Sequence, residues 1–367
     1  MRDSMNELFE NGLLTDSSYA CVLAEAASSG IKSDNRTGTP TIGTCYVNSQ
    51  YPLWGAAVPL ISSKAVNLKP LLVELEWYLK GTGDVAFLRE HDVKIWEAWT
   101  REDGTLGPVY GKQWRRWNDT RIVDRYDFVK NYQSYLYRGY KTEGYIGVEE
   151  DRVVLSREID QLQRIVDKLR RDPTDRRIMM SAWNVGELED MALPPCHFMY
   201  HVWSRELGFE ERLRQANAIG EVHAKYLHES RYTALLAEIA RCGEASEEML
   251  DSLNIPRRAL CSAMIQRSVD VFVGMPFNIA GYGILTSLIA QVTNHMPMMF
   301  SHFGLDVHVY ENHMSGVNEM MDRDIPENSD PVVIFPESWK EIDDFRWQDV
   351  RIEGYAPHPW IKVPVAV

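Results

Sequence analysis

Ser181 to His197 reads SAWNVGELEDMALPPCH, and its last five residues, Leu193-Pro194-Pro195-Cys196-His197, are the ones on which the fold is decided. Two prolines fix φ and remove backbone donors immediately before a thiol, which is how a nucleophile is held still. A lone cysteine beside a histidine is more often a packed thiol than a catalyst, so the run taken alone is weak evidence for a nucleophile. Downstream, residues 197–205 and 260–273 both read as strands. The polar stretch between them, about 206–256, contains RYTALLAEIAR and SEEMLDSL, two helically periodic segments parted by Gly243. This pattern predicts a folded helical insertion joining two strands of one sheet.

The flanking segments add helices. Pro70 opens LLVELEWYL, where Leu71, Leu72, Leu75 and Leu79 recur at helical spacing and proline takes a tolerated first position. Glu74 lies three and four residues before Trp77 and Tyr78. Its carboxylate either snorkels to solvent or is buried with a raised pKa, the state that suits a general acid or base. A second amphipathic helix is predicted from about Glu158 to Arg170 on the stripe Leu162, Ile165, Val166 and Leu169, ending at Asp172-Pro173. Arg176 and Arg177 then precede the strand-like IMMSAWNV; such a pair is a solvated charge cluster unless an anion must be held there. From Asn278 to Thr293 the chain is apolar almost all round, which predicts a helix buried on every side with Asn278 as its N-cap. A second interruption, about 121–155, is rich in tyrosine and charge and carries no catalytic signature.

At 367 residues, 45% hydrophobic and 11% aromatic, the chain has ample material for a core and reads as globular. Its formal net charge of −14 argues against a general nucleic-acid or anionic-membrane surface, so a bound phosphate must meet a local arginine cluster. Cys21, Cys45, Cys196, Cys242 and Cys261 are odd in number, scattered and never in a CxxC pair. They point to reduced thiols, with neither a zinc site nor a disulfide framework expected. The start, MRDSMNELFENG, is acidic and lacks an apolar stretch, so the expectation is a soluble, cytoplasmic protein.

Seven stretches have to be read together: NRTGT from Asn35, LGPVYGKQWRRW from Leu106, DPTDRR from Asp172, the Ser181–His197 run, QRSVDVFVGMPFN from Gln266, DVHVYENHM from Asp306, and the closing IEGYAPHPWIKVPVAV. In order and spacing they resemble the thymidylate synthase family, and only the segments 121–155 and 206–256 fall outside the resemblance. The resemblance implies an α/β (α+β) fold. It implies one catalytic domain over residues 1–367, carrying both insertions and built on a twisted mixed β-sheet flanked by helices. The open face of that sheet would pack against the same sheet of a second copy in a homodimer.

The implied chemistry is transfer of a one-carbon unit from 5,10-methylenetetrahydrofolate to C5 of dUMP, a carbon that becomes nucleophilic only after a thiolate adds at C6. By resemblance Cys196 is that thiolate, and Glu74, Tyr110, Arg267, Asn278 and Asp270 are the other catalytic residues. Arg36, Arg267 and Ser268 would hold the phosphate together with Arg176 and Arg177 from the partner, while His308 and Tyr310 would hold the sugar 3′-hydroxyl. The Asn278 amide can donate to O4 and accept from N3–H of uracil; family members that take dCMP carry aspartate there. Lys64, Trp96, Leu193, Asp270, Gly274, Phe277 and the terminal Val367 match folate contacts, and no metal is implied.

Four residues depart from the family pattern. His201 stands where a glutamine is expected five residues after the nucleophile, Gly281 replaces a common serine, and Leu305 and Val307 flank Asp306 where smaller or hydroxylated residues are usual. These are expected at the pyrimidine edge. The leading reading is reductive methylation of dUMP to dTMP; the alternative is dUMP 5-hydroxymethylation, with water instead of hydride in the last step. A non-catalytic nucleotide- or RNA-binding homologue is the third.

Overall fold

The structure is a computed structural model that describes residues 13–35, 37–227 and 229–364. Helix α1 (Leu13–Ser29) leads into β1 (Ile31–Ser33) and β2 (Thr41–Pro52), followed by α2 (Leu68–Leu79), α3 (Ala86–Glu90) and α4 (Tyr110–Arg116). Next come β3 (Trp117–Asp124), α5 (Arg125–Tyr137), β4 (Lys141–Ile146), β5 (Arg152–Ile159), α6 (Gln161–Arg171), β6 (Met179–Ser181) and β7 (His197–Glu206). The second half holds α7 (Phe209–Tyr226), α8 (Arg231–Cys242), α9 (Glu247–Ser252), β8 (Arg258–Asp270), α10 (Gly274–Val292), β9 (Met296–Tyr310), α11 (Met314–Met321), β10 (Val332–Ile334) and β11 (Arg351–Glu353).

Six strands form the main sheet in the order β1-β2-β9-β8-β7-β6. Only β8 and β9 run parallel, so the sheet is mixed, as expected. Their parallel pairing needs a crossover, and α10 supplies it. Fourteen of its nineteen residues are buried, so the helix that reads as apolar all round is enclosed on every side. Gly283 marks its closest approach: a Cβ there would sit 2.4 Å from Pro59 Cδ. The hydroxyl of Thr286 is matched internally, donating to Tyr282 O and meeting Tyr200 and Ser262 across the sheet.

Two sequence boundaries shift. The helix expected from Glu158 begins at Gln161, because residues through Ile159 pair with β3 and Asp160 caps the helix by accepting the Gln163 N–H at 2.8 Å. The helix expected from Asn278 begins at Gly274 with Val273 at the cap position, so Asn278 is not the N-cap. The Asp270 carboxylate accepts the N–H groups of Phe272 and Val273, turning the chain at the strand end and starting the helix four residues early.

Both insertions are folded units. The stretch 206–256 forms α7, α8 and α9 between the antiparallel neighbours β7 and β8, as its periodicity predicts. It has its own apolar cluster, including Ala216, Ile219, Leu235 and Leu250. Arg212, 1% exposed, ties the unit together by donating to Glu247, Asp251 and the carbonyls of Ile255 and Pro256. The first interruption is wider than 121–155: β3, β5 and β4 form a three-stranded antiparallel sheet over 117–159, with α5 packed through Phe128 against Tyr140, Val153 and Leu155. Among the described residues, no helix is long and apolar enough to cross a membrane.

Candidate active site

Cys196 sits at the entry to β7, and its backbone is fixed from both sides. Its N–H donates to the Tyr110 hydroxyl at 2.9 Å, and its carbonyl accepts the Arg267 N–H at 2.7 Å. Arg267 also straps the prolines: Nε donates to Pro195 O at 2.9 Å and Nη2 to Pro194 O at 2.7 Å, while the guanidinium lies over Trp183. Pro194 and Pro195 lack N–H groups, so only their carbonyls are available, and one arginine claims both. These bonds leave Nη1 of Arg267 for another acceptor. Ser268 follows on the same strand, with its carbonyl taken by Gln266.

Above the thiol lies an aromatic wall. Tyr110, at the start of α4, stacks on His197 with centroids 4.2 Å apart and packs against Trp96 and Tyr78. Burial pushes the Tyr110 phenol well above its ordinary range. Glu74 on α2 points into this wall, where Trp96 Nε1 donates to its Oε1 at 2.7 Å. Of the two possibilities for Glu74, the inward one holds: the residue is half-buried, with its carboxyl turned to Trp96 and not to bulk solvent. Burial lifts its carboxyl to about 7, although the hydrogen bonds from Trp96 and Tyr78 favour the ionised form. His197 is neutral, since burial lowers it to about 3, and its Nδ1 meets the Tyr282 hydroxyl at 2.9 Å.

Asn278 lies one turn into α10, and its amide orientation is set by a relay absent from the expected site. Gln266 Nε2 donates to Asn278 Oδ1 and to Ser268 O, both at 3.0 Å, while Gln266 Oε1 faces His302 Nε2 at 3.0 Å. Two carbonyl oxygens can only be met by the Gln266 NH₂, so its oxygen must face His302, which then donates from Nε2. Burial lowers His302 to about 4 and keeps it neutral. Gln266 stood within a recognised motif but with no role, and His302, 36 residues away, gave no sequence signal.

A cavity of about 20 Å³ opens between Glu74, Asn278, Gly281, His197 and Tyr282. That is room for one water. Gly281 lines this cavity with Asn278, and a Cβ there would meet Leu71 Cδ1 at an ordinary 3.6 Å. His201 does not, which corrects its expected position. Register shifts between His197 and Met199, so His197 and Tyr200 both turn inward and His201 points to the opposite, open face, as Trp203 does. Val307 is fully buried, and neither it nor Leu305 lines this cavity.

Asp270 and the residues around it make a second cluster. Burial raises the Asp270 carboxyl, opposed chiefly by His313, whose Nδ1 lies 3.9 Å away. Lys64 is 1% exposed, with Nζ 4.8 Å from the Phe272 ring and 5.2 Å from Trp360, and burial lowers it to about 8. The segment from Pro359 to Pro364 closes over it, held by Arg323 at Pro359 O and by His313 Nε2 at Pro364 O. His308 and Tyr310 leave β9 side by side with rings 5.4 Å apart, and His308 Nδ1 meets Asp306 at 2.8 Å. Gly274 begins α10, Phe277 lines the cavity, and Leu193 is partly buried against the core.

Arg176 and Arg177 are not brought to Cys196 of the same chain. Ile178 O accepts the N–H of Val202, six residues along β7 from Cys196, a separation of about 20 Å at strand rise. Both arginines are exposed, and Arg177 donates from Nε to Asp175 at 2.9 Å. Arg36 and Val367 lie outside the described residues.

A family model described as thymidylate synthase matches residues 17–367, a span that includes both insertions. The chain belongs to the thymidylate synthase family, whose members transfer a one-carbon unit to dUMP with methylenetetrahydrofolate as co-substrate.

Proposed function

We propose that this chain catalyses the reductive methylation of dUMP to dTMP, with Cys196 Sγ adding to C6 of the uracil. The observation that carries this reading is the clamp on Cys196, whose N–H is held by Tyr110 and whose carbonyl is held by Arg267, with the Glu74 carboxyl bonded to Trp96 in the same aromatic cluster as Tyr110. Asn278 Oδ1 has one lone pair engaged by Gln266 and one for N3–H, and its Nδ2 is left to donate to O4, where negative charge develops. Glu74, at about 7, can hold or release a proton at working pH, and with Tyr110 it serves O4 and C5. Nη1 of Arg267, Ser268 and Arg36 take the phosphate; His308 and Tyr310 take the 3′-hydroxyl.

The folate fits the residues present, since Phe277 and Leu193 are partly exposed apolar side chains, Trp96 packs in the same core, and the Asp270 carboxyl is part-exposed with Gly274 following at the start of α10. 5,10-Methylenetetrahydrofolate supplies the one-carbon unit and, in this reading, the hydride. Lys64 attracts its glutamyl tail only if the segment from Pro359 to Pro364 shifts, because the ammonium is covered. Val367 lies outside the described residues, and the role of closing the site against water is given to it by the family resemblance alone. Two copies join through the open sheet face, where Trp203 and Phe303 stay exposed, and each lends Arg176 and Arg177 to its neighbour. The roughly 20 Å from these arginines to their own Cys196 supports that exchange.

Hydroxymethylation is the second reading, and one observation favours it: the water-sized cavity against Glu74, left open by Gly281. Mass spectrometry of products from dUMP and methylenetetrahydrofolate separates the two. dTMP with dihydrofolate supports methylation, whereas 5-hydroxymethyl-dUMP with tetrahydrofolate overturns it.

A further inference from the structure

A larger cavity, about 360 Å³, lies where the helical insertion packs on the body of the protein, and shares no lining residue with the one beside Asn278. Its volume is in the range of small-molecule sites. Ile219 from α7, Tyr232 from α8 and Val333 and Phe335 near β10 make apolar and aromatic walls. Ser287 on α10 and His223 on α7 also line it, and both are more than nine-tenths buried. Among the described residues, Ser287 Oγ and His223 Nδ1 have no hydrogen-bond partner. Buried polar atoms are nearly always matched, so two unmatched ones lining one cavity are a pairing demand.

Burial lowers His223 to about 4, so its ring is neutral and offers one donor and one acceptor. Arg231 and Lys340 also line the cavity with the single carboxylate of Glu337; the Arg231 guanidinium donates to Asn254 O, Asn294 Oδ1 and the Tyr232 hydroxyl, all neutral acceptors, and Lys340 Nζ donates to Glu337 O. The local excess is positive on a chain whose formal charge is −14. We propose that this cavity is a second ligand site for a small aromatic or heteroaromatic anion, with its ring along Tyr232 and Phe335, a polar ring atom paired with Ser287 and His223, and its anionic group toward Arg231 and Lys340. The proposal does not depend on how the dUMP reaction ends.

The test is calorimetric titration of the full chain, saturated with dUMP to keep the pyrimidine site filled. The probes are AMP and salicylate, with adenosine and phenol as their uncharged counterparts. The expected result is one site per chain for at least one anion, with Kd below about 1 mM and its uncharged counterpart roughly tenfold weaker. Ser287→Val and Lys340→Gln should each weaken that anion about fivefold or more. Lys340 is exposed at the rim, so Lys340→Gln decides the matter if Ser287→Val fails to fold. Absence of saturable binding by both anions, or binding indifferent to Lys340→Gln, overturns the proposal.

Discussion

Replacing Trp96 with phenylalanine removes one donor from Glu74 and keeps most of the aromatic wall. Trp96 Nε1 donates to Glu74 Oε1 at 2.7 Å, a bond that favours the carboxylate against the burial that lifts it to about 7. A hydrogen bond to a charged group contributes roughly 1.5–3 kcal/mol, and one pKa unit corresponds to about 1.4 kcal/mol. Glu74 in Trp96→Phe should therefore titrate about one to two units higher, near pH 8 to 9. The smaller ring still meets Trp77 and Tyr110, whose centroids lie 6.1 and 5.8 Å from that of Trp96. The assay is kcat/KM for dUMP against pH, which reports ionisations of the free enzyme. Its acidic limb should move from near pH 7 in the parent to pH 8 to 9 in the variant. A limb that stays put in a variant with the parent's melting temperature refutes the assignment of that limb to Glu74.

Three further outcomes are expected. Glu74 has a folded pKa raised from 4.5 to about 7, so its contribution to stability is present below about pH 4.5 and lost as pH rises through 7. Glu74→Gln, which cannot ionise, should match the parent at pH 4 and exceed it at pH 8 by up to roughly 3 kcal/mol in urea unfolding; equal stability at both pH values contradicts the burial argument. Arg176→Ala and Cys196→Ala chains, each inactive, should recover about a quarter of parental turnover when unfolded and refolded together at equal amounts, since half the dimers are mixed and each holds one intact site; no recovery argues against shared sites. Asn278→Asp should cut kcat/KM for dUMP roughly a hundredfold or more and improve binding of dCMP, and calorimetry showing an unchanged preference would remove Asn278 from base choice.

Local patterns were the legible part of this fold. The all-round apolar helix and the periodic segments within 206–256 each state their structure within a few residues, and both are found. Failures came where a distant partner or a register change decides. Asn278 looks like a cap because the apolar run starts there, but the Asp270 carboxylate turns the chain earlier and places Asn278 inside the helix. His201 looks like a site residue by counting from Cys196, yet the shift after His197 turns it to the other face. The state of Glu74 depends on Trp96, 22 residues on, and the Asn278 amide on Gln266 and His302; bonds of that span leave no local trace. Arg176 and Arg177 stand far from the thiol of their own chain because Ile178 pairs with Val202, a long-range contact that the arginine pair itself does not announce.

The central claim is that Cys196 adds to C6 so that C5 can react. Release of tritium from dUMP labelled at C5 follows that step directly. With methylenetetrahydrofolate present, the parent should release tritium. Cys196→Ala should lose at least about 10⁴-fold in rate while binding dUMP within roughly threefold of the parent by calorimetry. Tritium release by Cys196→Ala at the parental rate would contradict the account.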